Sequence, residues 1–270
     1  MAGLVVGAES THGPGLLAQI AAVGHRSVNR TLRQRALLVF PLLFPLILFA
    51  INGSSLGAAT RIPGFPTPDY RAFALAVPFI QGALFVAVST GTDLARDIET
   101  GFFNRLAMTP LSGTALLVGQ LGGSLVLAFV QSGVYLLVGV ATGVGLATGV
   151  AGALVLLVLS ILISFAFASL GALMALRFGT GEAVQGIFPL LFVTLFLSSS
   201  SLPRNLIKTD WFREVATYNP VSYLIEGLRS LIIKGWDAQA LALGFGFAAL
   251  LLTLTLTLAG VAMKSRLVRT

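Results

Sequence analysis

LAMTPLSGTALLVGQLGGSLVLAFVQSGVYLLVGVATGVGLATGVAGALVLLVLSILISFAFASLGALMAL, residues 106–176, runs for 71 residues between Arg105 and Arg177 with Tyr135 as its only ionisable side chain. A helix needs about 20 apolar residues to cross the hydrocarbon layer of a bilayer, so this run holds two crossings and the reversal between them. Glycines 139, 143, 145, 149 and 152 mark the reversal. One span is therefore expected over about 112–138 and the next over about 152–176. Outward from this run, four more stretches lack Asp, Glu, Lys and Arg: 36–60 with Pro41 and Pro45, 72–92 with Pro78, 183–203, and 238–263. The expected fold class is an all-α integral membrane protein of six transmembrane helices. Its expected organisation is a single transmembrane unit over 1–270, with a tail and interfacial helix at 1–35, the six-span bundle at 36–263 and a short tail at 264–270.

Composition agrees with lipid as the main solvent. Charged residues are 10% of the 270, where soluble domains carry about 25%, and hydrophobic residues are 56% with 30 glycines besides. The chain has no cysteine, which rules out disulfides, thiol nucleophiles and thiolate metal sites. Its two histidines, His12 and His25, both precede the first apolar run, so a buried multi-histidine metal site is not expected. The net charge of +7 is scattered among lipid-length runs and marks membrane edges rather than a nucleic-acid surface.

An even number of spans puts both termini on one side, and the Lys/Arg distribution selects the side. With the N-terminus inside, Arg26, Arg30, Arg33, Arg35, Arg96, Arg105, Arg177, Lys264, Arg266 and Arg269 are internal, ten against seven outside. Five of those seven lie in 204–237, offset by Asp210, Glu214, Glu226 and Asp237. Both termini are expected in the cytoplasm of a multi-pass protein of the inner or plasma membrane. No cleavable signal is evident, because the apolar stretch at 16–23 is short and its positive charges follow it.

Three segments outside the spans carry information. Before the first span, Leu17, Ile20, Gly24, Val28 and Leu32 recur at steps of three and four with Gln19, Arg26, Arg30 and Arg33 opposite, the pattern of a helix lying in the interface; simple anchoring by snorkelling arginines, Arg26, Arg30, Arg33 and Arg35, accounts for it. In 93–110, Ile98, Phe102 and Leu106 repeat at intervals of four beside Phe103. A short helix stopped by Thr109-Pro110 is expected there. It is either a charged turn that tucks its aromatics into the headgroups or a socket for a cytoplasmic protein, with Asp97, Glu99 and Arg105 as rim charges. In 204–237, Asn219-Pro220 reads as an N-cap and first helical position, and Val221, Leu224, Leu228, Leu231 and Ile232 follow as an apolar stripe closed by Gly235. Trp211, Tyr218, Tyr223 and Trp236 suit headgroup depth, so a short helix dipping back into the outer leaflet is expected. Glu226 and Arg229, spaced i, i+3, are an expected pair.

The spans lack mid-membrane carboxylates and histidines, so no ion-coupling site is visible. The polar residues Gln81, Gln131, Gln185 and 198–201 suit interhelical contacts. Lys208, Lys234 and Lys264 follow Ile207, Ile233 and Met263, and the Gly-Lys pair of a phosphate-cradling loop is missing. Energy for uphill movement would have to enter through a partner.

Two of these segments resemble a known family. Asp97-Ile-Glu99-Thr-Gly101 followed by Leu106-Ala-Met-Thr109-Pro110, and Asn219-Pro220-Val-Ser-Tyr-Leu-Ile-Glu226-Gly-Leu-Arg229, resemble the two signatures of permease subunits of type 2 ABC exporters, including those of drug-resistance and antibiotic-export systems. The resemblance implies half of a permease dimer, homomeric or heteromeric, docked on cytoplasmic ABC ATPase subunits that carry ATP and Mg, with no cofactor or catalytic residue on this chain. It implies that 93–110 is the coupling helix, with Asp97, Glu99, Gly101, Phe102, Phe103, Arg105 and Leu106 at the ATPase. It implies that Asn219, Pro220, Tyr223, Glu226 and Arg229 belong to an outside re-entrant helix, and that spans one, two and five face the second permease, with Phe79, Gln81, Phe188, Phe192 and Phe196 as pathway contacts. The compact outside segment favours a lipophilic small molecule or drug as cargo over a lipid-linked glycan or glycolipid. A carrier without an ATPase, ion-coupled or facilitative, and a non-transporting scaffold are the readings from other classes.

Overall fold

A computed structural model describes residues 15–33, 35–102, 105 and 112–267, with the side chains of 35–38 and 267 outside the description. All regular elements among the described residues are helical. Helix α1 (Leu16–Arg33) precedes α2 (Arg35–Ser55), which contains Pro41 and Pro45. Pro45 has no N–H to offer the carbonyl four residues before it. The Tyr135 hydroxyl supplies the missing donor, 2.9 Å from the Pro41 carbonyl oxygen, and so ties this helix to a later one. Helix α2 stops at Ser55, where Asn52-Gly53-Ser54-Ser55 gathers poor helix formers, and a 3-10 turn, Gly57–Arg61, follows.

Helices α3 (Tyr70–Ala74) and α4 (Ala76–Glu99) break at Leu75, because Pro78 leaves the Ala74 carbonyl without its donor and crowds it. Beyond the expected end at 92, α4 continues for two more turns to Glu99. The 71-residue run forms α5 (Gly113–Gln120) and α6 (Gly122–Ala141), then α7 (Gly149–Phe178). Gly143 and Gly149, at φ +88° and +61°, make the reversal between them, a conformation L side chains avoid. After α8 (Gly181–Phe196) come α9 (Asp210–Tyr218), α10 (Pro220–Arg229), a π-helical turn Ser230–Lys234, and α11 (Ala238–Leu267).

Four described helices are long and apolar enough to cross a membrane: Tyr70–Glu99, Gly113–Ala141, Gly149–Phe178 and Ala238–Arg266. The first and fifth expected spans correspond to shorter apolar helices, Val39–Ser55 and Gly181–Phe196. Glycine, serine and the run at 198–201 end these two early, since serine hydroxyls compete for the backbone.

Helix α4 is the axis of the bundle. Its apolar window is 83% buried, whereas that of the last helix is 17% buried and lies at the periphery. Between α4 and α7 the backbones touch at Gly91 and Gly171, where a Cβ at Gly171 would collide with the Ala87 carbonyl; small residues permit such approach where lipid supplies no hydrophobic drive. Hydroxyl bonds add to it, Ser160 to Ser132 at 2.8 Å between α7 and α6, and Ser169 with Thr255 between α7 and α11. The packing leaves charge at two ends. One holds α1, the C-terminal turns of α4 and the start of α8; the other holds α9, α10 and the start of α11.

Candidate functional site

At the first end, Asp97 is 7% exposed and closely surrounded. Arg30 donates to it at 2.9 Å, Arg26 approaches at 3.4 Å and the Gln120 amide at 3.2 Å, while Arg30 also meets Asp93 at 3.0 Å. A carboxylate with this little exposure requires compensating partners, and α1 brings them. Helix α1 can lie close enough because Gly119, Gly122 and Gly123 receive Val23, Gly24 and Ser27. The Ser27 hydroxyl donates to the Gln120 carbonyl at 2.8 Å and accepts from the Gly123 N–H at 3.1 Å. These contacts correct two expectations. Arg26 and Arg30 turn inward to acids instead of snorkelling to headgroups, which leaves Leu17 and Leu32 exposed, and Asp97 is an internal ion-pair partner rather than a rim charge.

The rest of the expected coupling segment is also tied inward. Glu99 accepts from the Gly181 N–H at 2.9 Å, a carboxylate at the N-terminus of α8 where the helix dipole favours it. Gly101 turns the chain at φ +67°. Phe102 lies beneath Arg26, whose guanidinium carbon is 3.8 Å from the ring centroid, in cation–π range. Arg105 and Arg33 are exposed. Phe103, Leu106 and Thr109-Pro110 lie outside the described residues, as does the Arg35 side chain. The expected separate helix over 93–110 is replaced, as far as Glu99, by the end of α4 itself.

At the opposite end the Asn219-Pro220 start is as expected. The Asn219 side chain accepts from the Val221 N–H at 2.9 Å and donates to the Thr194 carbonyl at 2.6 Å, which sets α10 against α8. The Tyr223 hydroxyl donates to the Thr217 carbonyl at 2.9 Å, and its ring stacks on Phe247. Glu226 does not take Arg229 as its ion-pair partner. Arg204 binds Glu226 and sits over the Tyr223 ring; burial works against the Arg204 charge, but Glu226 and Tyr223 together outweigh it and the pKa is raised. Arg229, 5% exposed, instead donates to three carbonyls, Phe73 at 3.1 Å, Ser199 at 3.0 Å and Ser200 at 3.1 Å. Burial pulls its pKa down to about 9 against the opposing field of Glu226, so it stays cationic at neutral pH. Arg204 carries no repeat or motif that would have singled it out; the available signal was an arginine closing the uncharged run at 183–203.

Along the bundle, Phe40, Phe44, Phe85, Phe188, Phe192 and Phe196 form a chain of ring contacts joining α2, α4 and α8, with neighbouring centroids 4.8–6.2 Å apart. Phe40 and Phe196 are about 60% exposed, as are flanking aliphatics such as Ile47 and Leu190. Three of the five expected pathway residues, Phe188, Phe192 and Phe196, are brought together here. The other two are not. Phe79 is 2% exposed and packs edge-on against Tyr135, and Gln81 is 3% exposed, because the axial position of α4 turns them into the protein.

The ABC-2 type transporter family pattern matches residues 18–233, from α1 through the Asn219-Pro220 helix into the π-helical turn. The chain belongs to the ABC-2 type transporter family. It is similar to the daunorubicin resistance ABC transporter permease protein DrrB1 of Streptomyces coeruleorubidus, 28% identical over 206 residues that cover 73% of this chain and 67% of the relative. It is also similar to the putative transport permease ycf38 of Porphyra purpurea, 26% identical over 218 residues, 79% of this chain and 74% of the relative. As an ABC-2 permease it is a multi-pass membrane subunit of an ABC transporter, and such subunits work with a separate ABC ATPase.

Proposed function

We propose that this permease exports a lipophilic small molecule or drug, moving it outward when its ATPase partner hydrolyses ATP with Mg. The observation that carries this reading is the partly exposed aromatic face across α2, α4 and α8, which has no ionisable side chain, in a chain similar to a daunorubicin resistance permease. Such a face accepts flat apolar cargo and offers nothing to a coupling ion. Two permeases, of one kind or two, meet along it, each crossing the membrane six times with both termini in the cytoplasm. The first end is then cytoplasmic, and the segment from Asp93 through Pro110 docks on the ATPase, with Phe102, Phe103 and Arg105 as its proposed contacts. Glu99 and Asp97 act there by fixing α8 and α1. Closure of the two ATPases presses the coupling segments together and rotates the permease halves between inward- and outward-facing states.

Inside-out vesicles holding the permease with its ATPase should accumulate daunorubicin when supplied with Mg-ATP. Accumulation driven by a proton gradient without ATP would overturn the reading in favour of an ion-coupled carrier, and an assembled complex whose ATP hydrolysis no lipophilic compound stimulates would favour a scaffold.

A further inference from the structure

A cavity of about 510 Å³ opens at the second end between α10, the π-helical turn and the start of α11, within the usual size range of small-ligand sites. Its lining includes three cations, Arg204, Arg229 and Lys234, and two acids, Glu226 and Asp237. Most of that charge is committed. Arg204 holds Glu226, and Arg229 is clamped on backbone carbonyls. Asp237 accepts from the Ala240 N–H with one oxygen at 3.0 Å. Its other oxygen is 3.8 Å from the Lys234 ammonium, beyond hydrogen-bond length. The cavity therefore presents an ammonium and a carboxylate side by side that are not hydrogen-bonded to each other. The wall that carries Lys234 is a π-helical turn, a rare geometry that recurs at functional sites.

A second observation gives the ligand its other half. Gln239 and Leu243 line the cavity from α11, and the same face of that helix continues as Leu250, Leu254, Leu258 and Val261, all about half exposed. The apolar stripe thus begins under the cavity and runs down the least buried of the four helices long enough to cross a membrane. Trp236, also exposed, is the chain neighbour of Asp237, and indole rings favour headgroup depth.

We infer that the cavity binds the headgroup of a zwitterionic phospholipid whose phosphate meets Lys234 and whose primary ammonium meets Asp237, with its acyl chains along the α11 stripe. Only the membrane location of the chain and the orientation proposed above enter this inference; that orientation makes the leaflet the outer one. A primary ammonium has three N–H donors for Asp237, whereas a trimethylammonium has none, so phosphatidylethanolamine is preferred over phosphatidylcholine. Phosphatidylglycerol lacks the amine and is preferred less than phosphatidylethanolamine.

Native mass spectrometry of the purified full chain with each of these three lipids tests the site. Phosphatidylethanolamine should bind about tenfold more tightly than phosphatidylcholine, the scale of one charge-assisted hydrogen bond. Lys234→Ala should weaken phosphatidylethanolamine and phosphatidylcholine alike, and Asp237→Asn, which keeps the amide-accepting oxygen at the start of α11, should erase the difference between them. Equal binding of all three lipids, or a preference unchanged in both variants, overturns the inference. Displacement of the lipid by inorganic phosphate alone would make this a free-anion site, and disulfide formation between Leu250→Cys chains in membranes would show a second copy covering the stripe; either result also overturns it. Glycerophosphoethanolamine should compete only weakly, because it lacks the chains that the stripe receives. Lipid binding of this kind is read independently of daunorubicin uptake, so failure of one leaves the other standing.

Discussion

Arg229 donates one guanidinium to the carbonyls of Phe73, Ser199 and Ser200, which come from two separate parts of the chain. The planar fork suits this because its five N–H donors leave in fixed directions. Arg229→Met leaves three buried carbonyls without that donor, and unsatisfied buried groups cost roughly 1–3 kcal/mol each. The expected loss is about 3 kcal/mol or more, read as a fall of roughly 6–12 °C in the apparent melting temperature in detergent. Arg229→Lys should recover less than half of it, because one ammonium cannot span three acceptors in this arrangement. The sequence motif pointed to Arg229 and to Glu226, yet matched them with each other. Spacing of i, i+3 is a local rule, and it carries no information about Arg204, 22 residues upstream, or about a carbonyl 156 residues away.

The helices themselves were legible because charge is so scarce: long uncharged runs have one stable solution in lipid, with backbone groups satisfied inside the segment. What the run lengths concealed was where α4 ends. Asp93 ends the uncharged run, but Leu94, Ala95 and Ile98 continue the packed face behind it, and arginines from α1 meet the acids that would otherwise stop the helix. Neither the amphipathic pattern of α1 nor the acids of α4 identifies the other, since Arg30 and Asp97 are 67 residues apart. The aromatic face was half legible for a related reason: the resemblance named Phe188, Phe192 and Phe196, whose rings do meet along α8, while the direction α4 faces depends on neighbours that sequence does not display. Arg30→Gln and Asp97→Asn each should loosen α1, seen as faster amide hydrogen exchange in Leu16–Arg33. In a double-mutant cycle the pair should cost about 1–2 kcal/mol less than the sum of the single changes, the signature of contacting groups.

As a whole, the bundle buries α4 and leaves the outer faces of α2 and α8 apolar and exposed, and this is the side on which the proposed second permease sits. The chain has no cysteine, so single cysteines can be introduced into an otherwise unreactive background. Leu43→Cys, on exposed α2, should form a disulfide-linked dimer in oxidised membranes if two copies of this chain pair, while Leu137→Cys, exposed on α6, should remain monomeric. The reverse pattern would move the interface to another face. The Arg229 clamp has a further meaning for how this architecture comes to exist. Synthesis delivers Phe73 early, Ser199 and Ser200 much later, and Arg229 last, so the upstream carbonyls wait on a donor that the ribosome has yet to produce. That end of the bundle gains its clamp only once Arg229 has been made, so the bonds that tie 73 and 199–200 to α10 belong to the later contacts of folding.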